Sequence, residues 1–253
     1  MMGHAARPTL RAVVRRPELV ASLAVAGAWT IVLFRPLMPG HASHMGMAAS
    51  AMSASTPLDL SRAGQALSGF PAWMVMTIAM MGPAALAGIR HTGLNSLSWR
   101  RYRAMGEFAA GYLTVWAAFG IVSLVALGAV PQAVGWSGAA AALAIAGVWE
   151  LTPMKRRSLR ECHRSVPLPP RGWRAEIAAI RFGLRNGTAC LGSCWCLMLA
   201  MTMCPVHYVL ATVLLTAVST AERLVERPRR ATRVAALSFG VLAVGVFVAA
   251  RLS

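Results

Sequence analysis

The chain has 253 residues, of which 57% are hydrophobic, and its mean hydropathy is +0.57. Twenty-five basic and eight acidic residues give a formal net charge of +17. Because several windows of about 18 residues carry no charge, the chain is predicted to be a polytopic membrane protein, and its charge is assigned to topology rather than to nucleic-acid binding.

Seven segments are long and apolar enough to be predicted as membrane-spanning helices. In chain order they cover about residues 18–36, 71–90, 104–130, 136–154, 186–203, 206–224 and 232–251. Only Cys204 and Pro205 separate the fifth span from the sixth, which predicts a tight helical hairpin or a broken re-entrant pair. The fold class expected is therefore all-α, a polytopic transmembrane helix bundle of about seven spans.

The basic residues indicate how this bundle is oriented. Four segments on one side of it carry 22 of the 25 basic residues: 7–16, 90–103, 155–185 and 223–233. Since basic loops stay in the cytosol, the N-terminus is predicted to be cytosolic and the C-terminus outside, in the inner or plasma membrane. The basic loops are expected to contact anionic lipid headgroups.

The segment between the first two spans, residues 37–70, is rich in Gly, Ala and Ser and nearly uncharged, so a flexible outward-facing loop is expected. It carries a group of imidazole and thioether side chains: His41, His44, Met45 and Met47. These residue types are the ligands expected for copper outside the cytosol. The segment is either a loose arm that collects copper or a linker in a methionine-rich protein.

The second span carries four methionines within eight residues, Met74, Met76, Met80 and Met81. Thioethers favour Cu(I), but methionine also fills gaps in apolar cores, so both interpretations stay open. Pro83 is expected to kink this helix.

Three glutamates fall near the cytosolic ends of spans. Glu107 is expected to have a structural role near a helix end. Glu222 is expected either to form an ion pair with Arg223 or to face inward. Glu150 is harder to explain, because an ionisable group a turn inside the boundary is costly unless it has a partner. Either Lys155 reaches back to pair with it, or Glu150 is a metal ligand or a proton acceptor.

The segment from 188 to 204 is the richest in sulfur. On a helix, Cys190 and Cys194 lie one turn apart on one face, close enough to bind one ion, whereas Cys196 points to the other side. In the cytosolic connection Cys162 adjoins His163, a pair that could bind a metal transiently. Five cysteines in total predict no disulfide framework.

Topology places Met80, Met81, Glu150, Cys190 and Cys194 in the cytosolic halves of their spans. They are therefore expected at one depth, where polar and sulfur side chains face the interior of a bundle. Cu(I) would be bound by the two cysteines with a methionine, whereas zinc, the alternative metal, prefers a fuller set of Cys, His and carboxylate ligands.

The same residues resemble those of a known family. The matching positions run in order from about Trp73 to Leu224: Ala79-Met80-Met81-Gly82-Pro83, Tyr112 and Trp116, Leu151-Thr152-Pro153-Met154-Lys155, Cys162-His163-Arg164, Gly183-Leu184-Arg185-Asn186-Gly187, Cys190-Leu191-Gly192-Ser193-Cys194-Trp195-Cys196-Leu197-Met198, and Glu222-Arg223. This pattern resembles the DUF2182 family of predicted metal-binding integral membrane proteins, some of which are labelled copper chaperones.

The resemblance implies metal binding at Met80, Met81, Cys190 and Cys194, and extends it to Glu150 and Cys162. The chain departs from the family pattern at three places. Trp149-Glu150 stands where the family usually has Tyr-Gln, Ser158 where it has a loop cysteine, and Ser193 where it tends to have Cys or Gly. Because Ser158 replaces the loop cysteine, Cys162 stands alone and a two-thiol cytosolic site is less well supported.

We expect four regions: an N-terminal tail and first helix (1–36), the His/Met-rich loop (37–70), a metal-handling bundle (71–224) with a cytosolic basic loop (155–185), and a basic turn with the final helix (225–253). The predicted function is Cu(I) binding for delivery to a cuproenzyme or its assembly, without enzymatic activity. The alternative is a metal-free structural accessory subunit of a larger membrane complex, with copper enzyme subunits as partners in either case. An ion transporter using the glutamates is disfavoured, because no inverted repeat of broken helices is apparent.

Overall fold

The computed structural model describes residues 17–34, 67–128, 135–164, 166–169, 171–203, 208–224, 235–241, 243–245 and 248. All regular structure within these ranges is helical, which confirms the predicted all-α class. The helices, in chain order, are α1 (Leu19–Phe34), α2 (Phe70–Leu94), α3 (Arg101–Gly128), α4 (Gly135–Leu151), α5 (Pro153–Cys162), α6 (Trp173–Met203) and α7 (Tyr208–Leu224). Further helical residues lie between 235 and 245.

Two of the described helices are long and apolar enough to cross a membrane, over Phe70–Leu94 and Arg101–Ala126. Four shorter apolar helices cover Leu19–Phe34, Ala140–Leu151, Thr212–Glu222 and Ala235–Gly245. Length and composition alone support this statement, and the buried helices of soluble proteins can meet the same standard. The count of seven spans, their orientation and the four-region division of the chain therefore stay predictions.

The helix α6 differs from its prediction. A span over 186–203 that follows a basic loop was expected, but a single helix of 31 residues runs from Trp173 to Met203. The expected basic loop 155–185 is consequently largely helical, because α5 and the first part of α6 fill it. Gly183 and Gly187 lie inside this helix, where they serve packing.

Close packing of α3 against α6 depends on these two glycines. A Cβ atom on Gly183 would collide with the carbonyl oxygen of Phe108, and one on Gly187 would lie 3.0 Å from the carbonyl oxygen of Tyr112. Small residues spaced by four let two helices approach closely, as is common in membrane bundles. This approach brings Tyr112 of α3 beside the turn of α6 that carries Cys190.

The boundary between α4 and α5 is set by Thr152 and Pro153. Thr152 is extended and its Oγ1 accepts a hydrogen bond from the backbone N–H of Lys155 at 3.3 Å, while Pro153 occupies the first turn of α5. Both residues are favoured at a helix start. A new helix therefore begins at once, and it packs along α6, where a Cβ on Gly192 would lie 2.6 Å from Ser158 Oγ.

Candidate metal centre

Three helices bring a thiol, a thioether and a phenol together. The Sγ atom of Cys190 in α6 lies 3.7 Å from the Sδ atom of Met81 in α2, and both side chains are fully buried. The Tyr112 hydroxyl group of α3 lies 3.0 Å from Cys190 Sγ and donates to it, and it lies 3.3 Å from the carbonyl oxygen of Met81. The predicted meeting of Cys190 with Met81 is thus present in the fold.

The spacing of the two sulfur atoms suits a shared soft metal ion. A metal–sulfur bond is about 2.3 Å long, so two such bonds exceed the 3.7 Å between Cys190 Sγ and Met81 Sδ. Thiolate and thioether ligands together favour Cu(I) over hard cations. These residues therefore fit a Cu(I) ion as cargo.

The second cysteine lies one turn further along α6. Cys194 is 1% exposed, and its Sγ lies 3.3 Å from the hydroxyl oxygen of Ser193, which also donates to the carbonyl oxygen of Cys190 at 2.8 Å. Met80 of α2 is equally buried in the same core cluster. Cys196, expected to point away from this face, is buried as well, at 3% exposure.

A second buried group contains charge instead of sulfur. Lys155 Nζ contacts Glu150 Oε1 and lies 2.8 Å from Glu222 Oε2, and all three side chains are at most 4% exposed. Of the two interpretations given for Glu150, the structure contains the ion pair with Lys155. Glu222 has Lys155 as a partner, while its predicted pairing with Arg223 lies outside the described side chains and stays a prediction.

Sequence reasoning missed the contact between Lys155 and Glu222. The two residues are 67 positions apart, and no local pattern links them. One feature of the sequence could have indicated this contact. Both residues lie at the ends of apolar stretches, where an ionisable group needs a partner of opposite charge. Glu107 has its structural role as expected, since Arg100 and Arg103 lie 2.8 Å and 3.1 Å from its carboxylate oxygens.

Within the described part of the chain, no three His, Cys, Asp or Glu side chains are grouped closely enough to bind a metal. The centre therefore depends on two cysteines and methionine sulfur, without the fuller ligand set that zinc prefers. Glu150 already has a cation beside it. Its role as a ligand stays a prediction that no contact supports.

Two further candidates, Cys162 and His163, stand at the end of α5, and Cys162 packs against the core cluster that contains the sulfur centre. Cys162 is partly buried at the end of α5, and His163 Nδ1 lies 2.9 Å from the carbonyl oxygen of Leu159. Beside them Glu161 accepts hydrogen bonds from Arg185 at 2.5 Å and Arg164 at 3.0 Å, and these bonds lower the pKa of its carboxyl group. The outer candidates His41, His44, Met45 and Met47 fall outside the described residues.

In the described part of the chain, buried cysteine and methionine sulfur atoms lie in contact within a helical fold, and these ligand types suit a soft metal ion. A family model agrees: the PpoB2 model, described as a copper chaperone, matches residues 70–248, more than two thirds of the chain. The chain belongs to this copper chaperone family, which confirms the predicted relation to copper chaperones. No curated protein and no solved structure matches it significantly.

Proposed function

We propose that this member of the copper chaperone family is an integral membrane protein that binds Cu(I) at Cys190, Cys194 and Met81 and delivers it to a cuproenzyme or its assembly. In this proposal it carries out no catalysis, and its membrane location and DUF2182 character follow the sequence predictions. The family match supports the link to copper. The contact between Cys190 Sγ and Met81 Sδ in the core is the observation that carries the choice of site.

The chemistry of binding follows from the ligand types. As Cu(I) forms bonds to Cys190 and Cys194, two S–H bonds break and two protons leave, with no change in oxidation state. Met81 contributes a neutral thioether, and Met80 is the nearest further methionine in sequence. A neutral sulfur ligand can be replaced without moving a proton, which suits a protein that must later release its ion.

The predicted bundle in a membrane accounts for the apolar side chains on the surface of the structure. Four different helical segments carry Leu23, Val122, Val148, and the pair Leu237 and Val241, and each of these side chains is at least 66% exposed. Large exposed apolar side chains spread over several helices are unusual for a soluble monomer and suit contact with lipid. The N-terminus is placed in the cytosol by the distribution of arginine.

The cytosolic part of α6 supports the proposed contact with anionic lipids. A groove of about 480 Å³ there is lined by Trp173, Ile177 and the arginines 174, 181 and 185, among others. Arginine beside apolar side chains suits an anionic headgroup with its attached carbon chain. On the opposite side, His41, His44, Met45 and Met47 are proposed to collect copper.

The proposal is tested by replacing both cysteines. The variant with Cys190→Ser and Cys194→Ser should lose copper affinity by more than the roughly 10- to 100-fold that removal of an outer hydrogen bond to a metal ligand costs. Metal analysis by mass spectrometry of the purified chain measures bound copper. The matched control is Cys196→Ser, also buried in α6, which should retain its copper. Full copper occupancy in the double variant would refute the site.

One observation favours a second function, that of a structural accessory subunit without metal. Cys190 already has a hydrogen bond from Tyr112 and packs in the core, as a purely structural cysteine would. Native purification separates the two functions. Copper is supplied during growth and the chain is then purified. If the chain is isolated only inside a larger complex and contains no copper, the structural role is favoured.

A further inference from the structure

The contact among Met81, Tyr112 and Cys190 defines a first layer across α2, α3 and α6. One helical turn from it, toward the Phe70 end of α2, each helix has a residue on the same face: Thr77, Trp116 and Cys194. Residues four positions apart on a helix lie above one another, so these three form a second layer.

The second layer is fully enclosed. Thr77 and Trp116 are 0% exposed and Cys194 is 1% exposed. Because Tyr112 reaches both Met81 and Cys190, it points into the groove between α2 and α6, and Trp116 starts from the same face of α3. The indole N–H of Trp73 in α2 also donates to the carbonyl oxygen of Trp116 at 3.3 Å, which places α2 directly against Trp116.

Two polar atoms of this layer have nothing to bond with among the described residues: Thr77 Oγ1 and Trp116 Nε1. Buried polar groups nearly always have a hydrogen-bond partner, so two such atoms in one layer need an explanation. Thr92 provides the comparison within α2. It is equally buried, but its hydroxyl group donates to the carbonyl oxygen of Gly88 at 2.9 Å.

The net charge of the metal–thiolate complex determines which ion these two hydrogen-bond donors would favour. Cu(I) with two thiolates carries a net charge of −1, whereas a divalent ion with the same ligands is neutral. The thiol form of cysteine is only a weak acceptor, but a metal-bound thiolate accepts hydrogen bonds well. The hydroxyl group of Ser193 also lies 3.3 Å from Cys194 Sγ.

We propose that Thr77 and Trp116 are positioning residues that donate hydrogen bonds to the Cu(I)-thiolate complex at Cys194 and favour a monovalent over a divalent ion. This inference rests on the proposed function, because it assumes that Cu(I) binds at Cys190 and Cys194. In the metal-free protein the two donors lack an acceptor, and binding of the anionic complex supplies one.

The test compares Thr77→Val with Thr92→Val, two buried threonines of the same helix. Loss of a hydrogen bond to a charged group should lower Cu(I) affinity of Thr77→Val by about tenfold or more, while its metal-free melting temperature stays the same or rises, since an unpaired buried hydroxyl is removed. Thr92→Val should show the opposite: a lower melting temperature and unchanged affinity. Anaerobic competition with a Cu(I)-selective chelator and thermal unfolding in detergent measure both.

A second variant, Trp116→Phe, keeps an aromatic ring and removes the N–H donor together with part of the indole, so its metal-free melting temperature is measured beside its affinity. We expect it to lower Cu(I) affinity in the same way and, with Thr77→Val, to reduce the ratio of Cu(I) to Zn(II) affinity. Wild-type affinity in both Thr77→Val and Trp116→Phe would overturn this inference and leave the copper site standing. Absence of Cu(I) binding by the wild-type chain would instead overturn the proposed function and this inference with it.

Discussion

Two groups of side chains buried in the core of this protein differ in chemistry: one consists of sulfur ligands and the other of charged residues. In one, the Sγ atom of Cys190 lies 3.7 Å from the Sδ atom of Met81. In the other, Glu150 and Glu222 surround Lys155, so each carboxylate has a cation at hand. Both groups contain residues that the sequence offered as metal ligands or as ionisable groups at membrane depth.

The difference shows why ligand type alone does not define a metal site. A buried carboxylate that already has an ammonium group beside it gains little from a metal ion, because the cost of burying its charge has been offset. Cysteine and methionine sulfur, in contrast, are the ligand types that favour a soft ion such as Cu(I). The first two experiments below each remove a contact from one of these groups, and the third removes an exposed ion pair for comparison.

The largest effect is expected for Lys155→Met. This change leaves two buried carboxylates without their cation, which should lower the free energy of unfolding by about 3–5 kcal/mol. Chemical or thermal unfolding in detergent measures it, with the exposed Arg157→Met as control. Adding Glu150→Gln and Glu222→Gln to Lys155→Met should restore much of the loss. An unfolding free energy of Lys155→Met equal to that of the wild type would contradict the buried ion pairs of Lys155 with Glu150 and Glu222.

A smaller effect is expected on the sulfur side for Tyr112→Phe. It removes the hydroxyl group that donates to Cys190 Sγ at 3.0 Å, at a cost of about 1 kcal/mol in unfolding free energy. Copper affinity should fall by roughly tenfold, as for other outer hydrogen bonds to metal ligands. Chelator competition measures this against Tyr102→Phe on the exposed surface of α3. Equal affinities in the two variants would contradict a role for Tyr112 at the centre.

The smallest effect concerns an ion pair at the surface, Glu161 with Arg185 and Arg164. Their hydrogen bonds lower the pKa of Glu161 from its ordinary value of 4.5, so the folded state favours the ionised form. Its contribution to stability is present above pH 4.5 and disappears as the pH falls through the lowered pKa. Because the pair is exposed, Glu161→Gln should lower the melting temperature at pH 7 by only about 1 °C or less.

Melting curves of Glu161→Gln and the wild type should coincide at a pH well below the lowered pKa. A difference that grows as the pH falls would have the wrong sign for this arrangement. If Glu161→Gln lowered stability at pH 7 as much as Lys155→Met, the exposed ion pair would contribute as much as the buried one, which would contradict the expected difference.

Local patterns in the sequence were sufficient for the helices themselves. Long apolar runs predicted helical structure around Met81 and Cys190, and the structure contains it. They were insufficient for the start of α6, because the predicted span begins at residue 186, whereas the helix already begins at Trp173. The family relation was also predictable, since the motifs lie in order along the chain.

The sequence by itself determined the residue chemistry of this protein: apolar helices, soft sulfur ligands at helical spacing, and a few ionisable residues that require partners. Each of these follows from composition and from contacts within a few positions. Tertiary structure alone decided that Cys190 meets Met81, 109 positions away, and that Lys155 joins Glu150 to Glu222. Such pairings depend on which helix faces pack together, and that is settled by side-chain shape across the whole bundle.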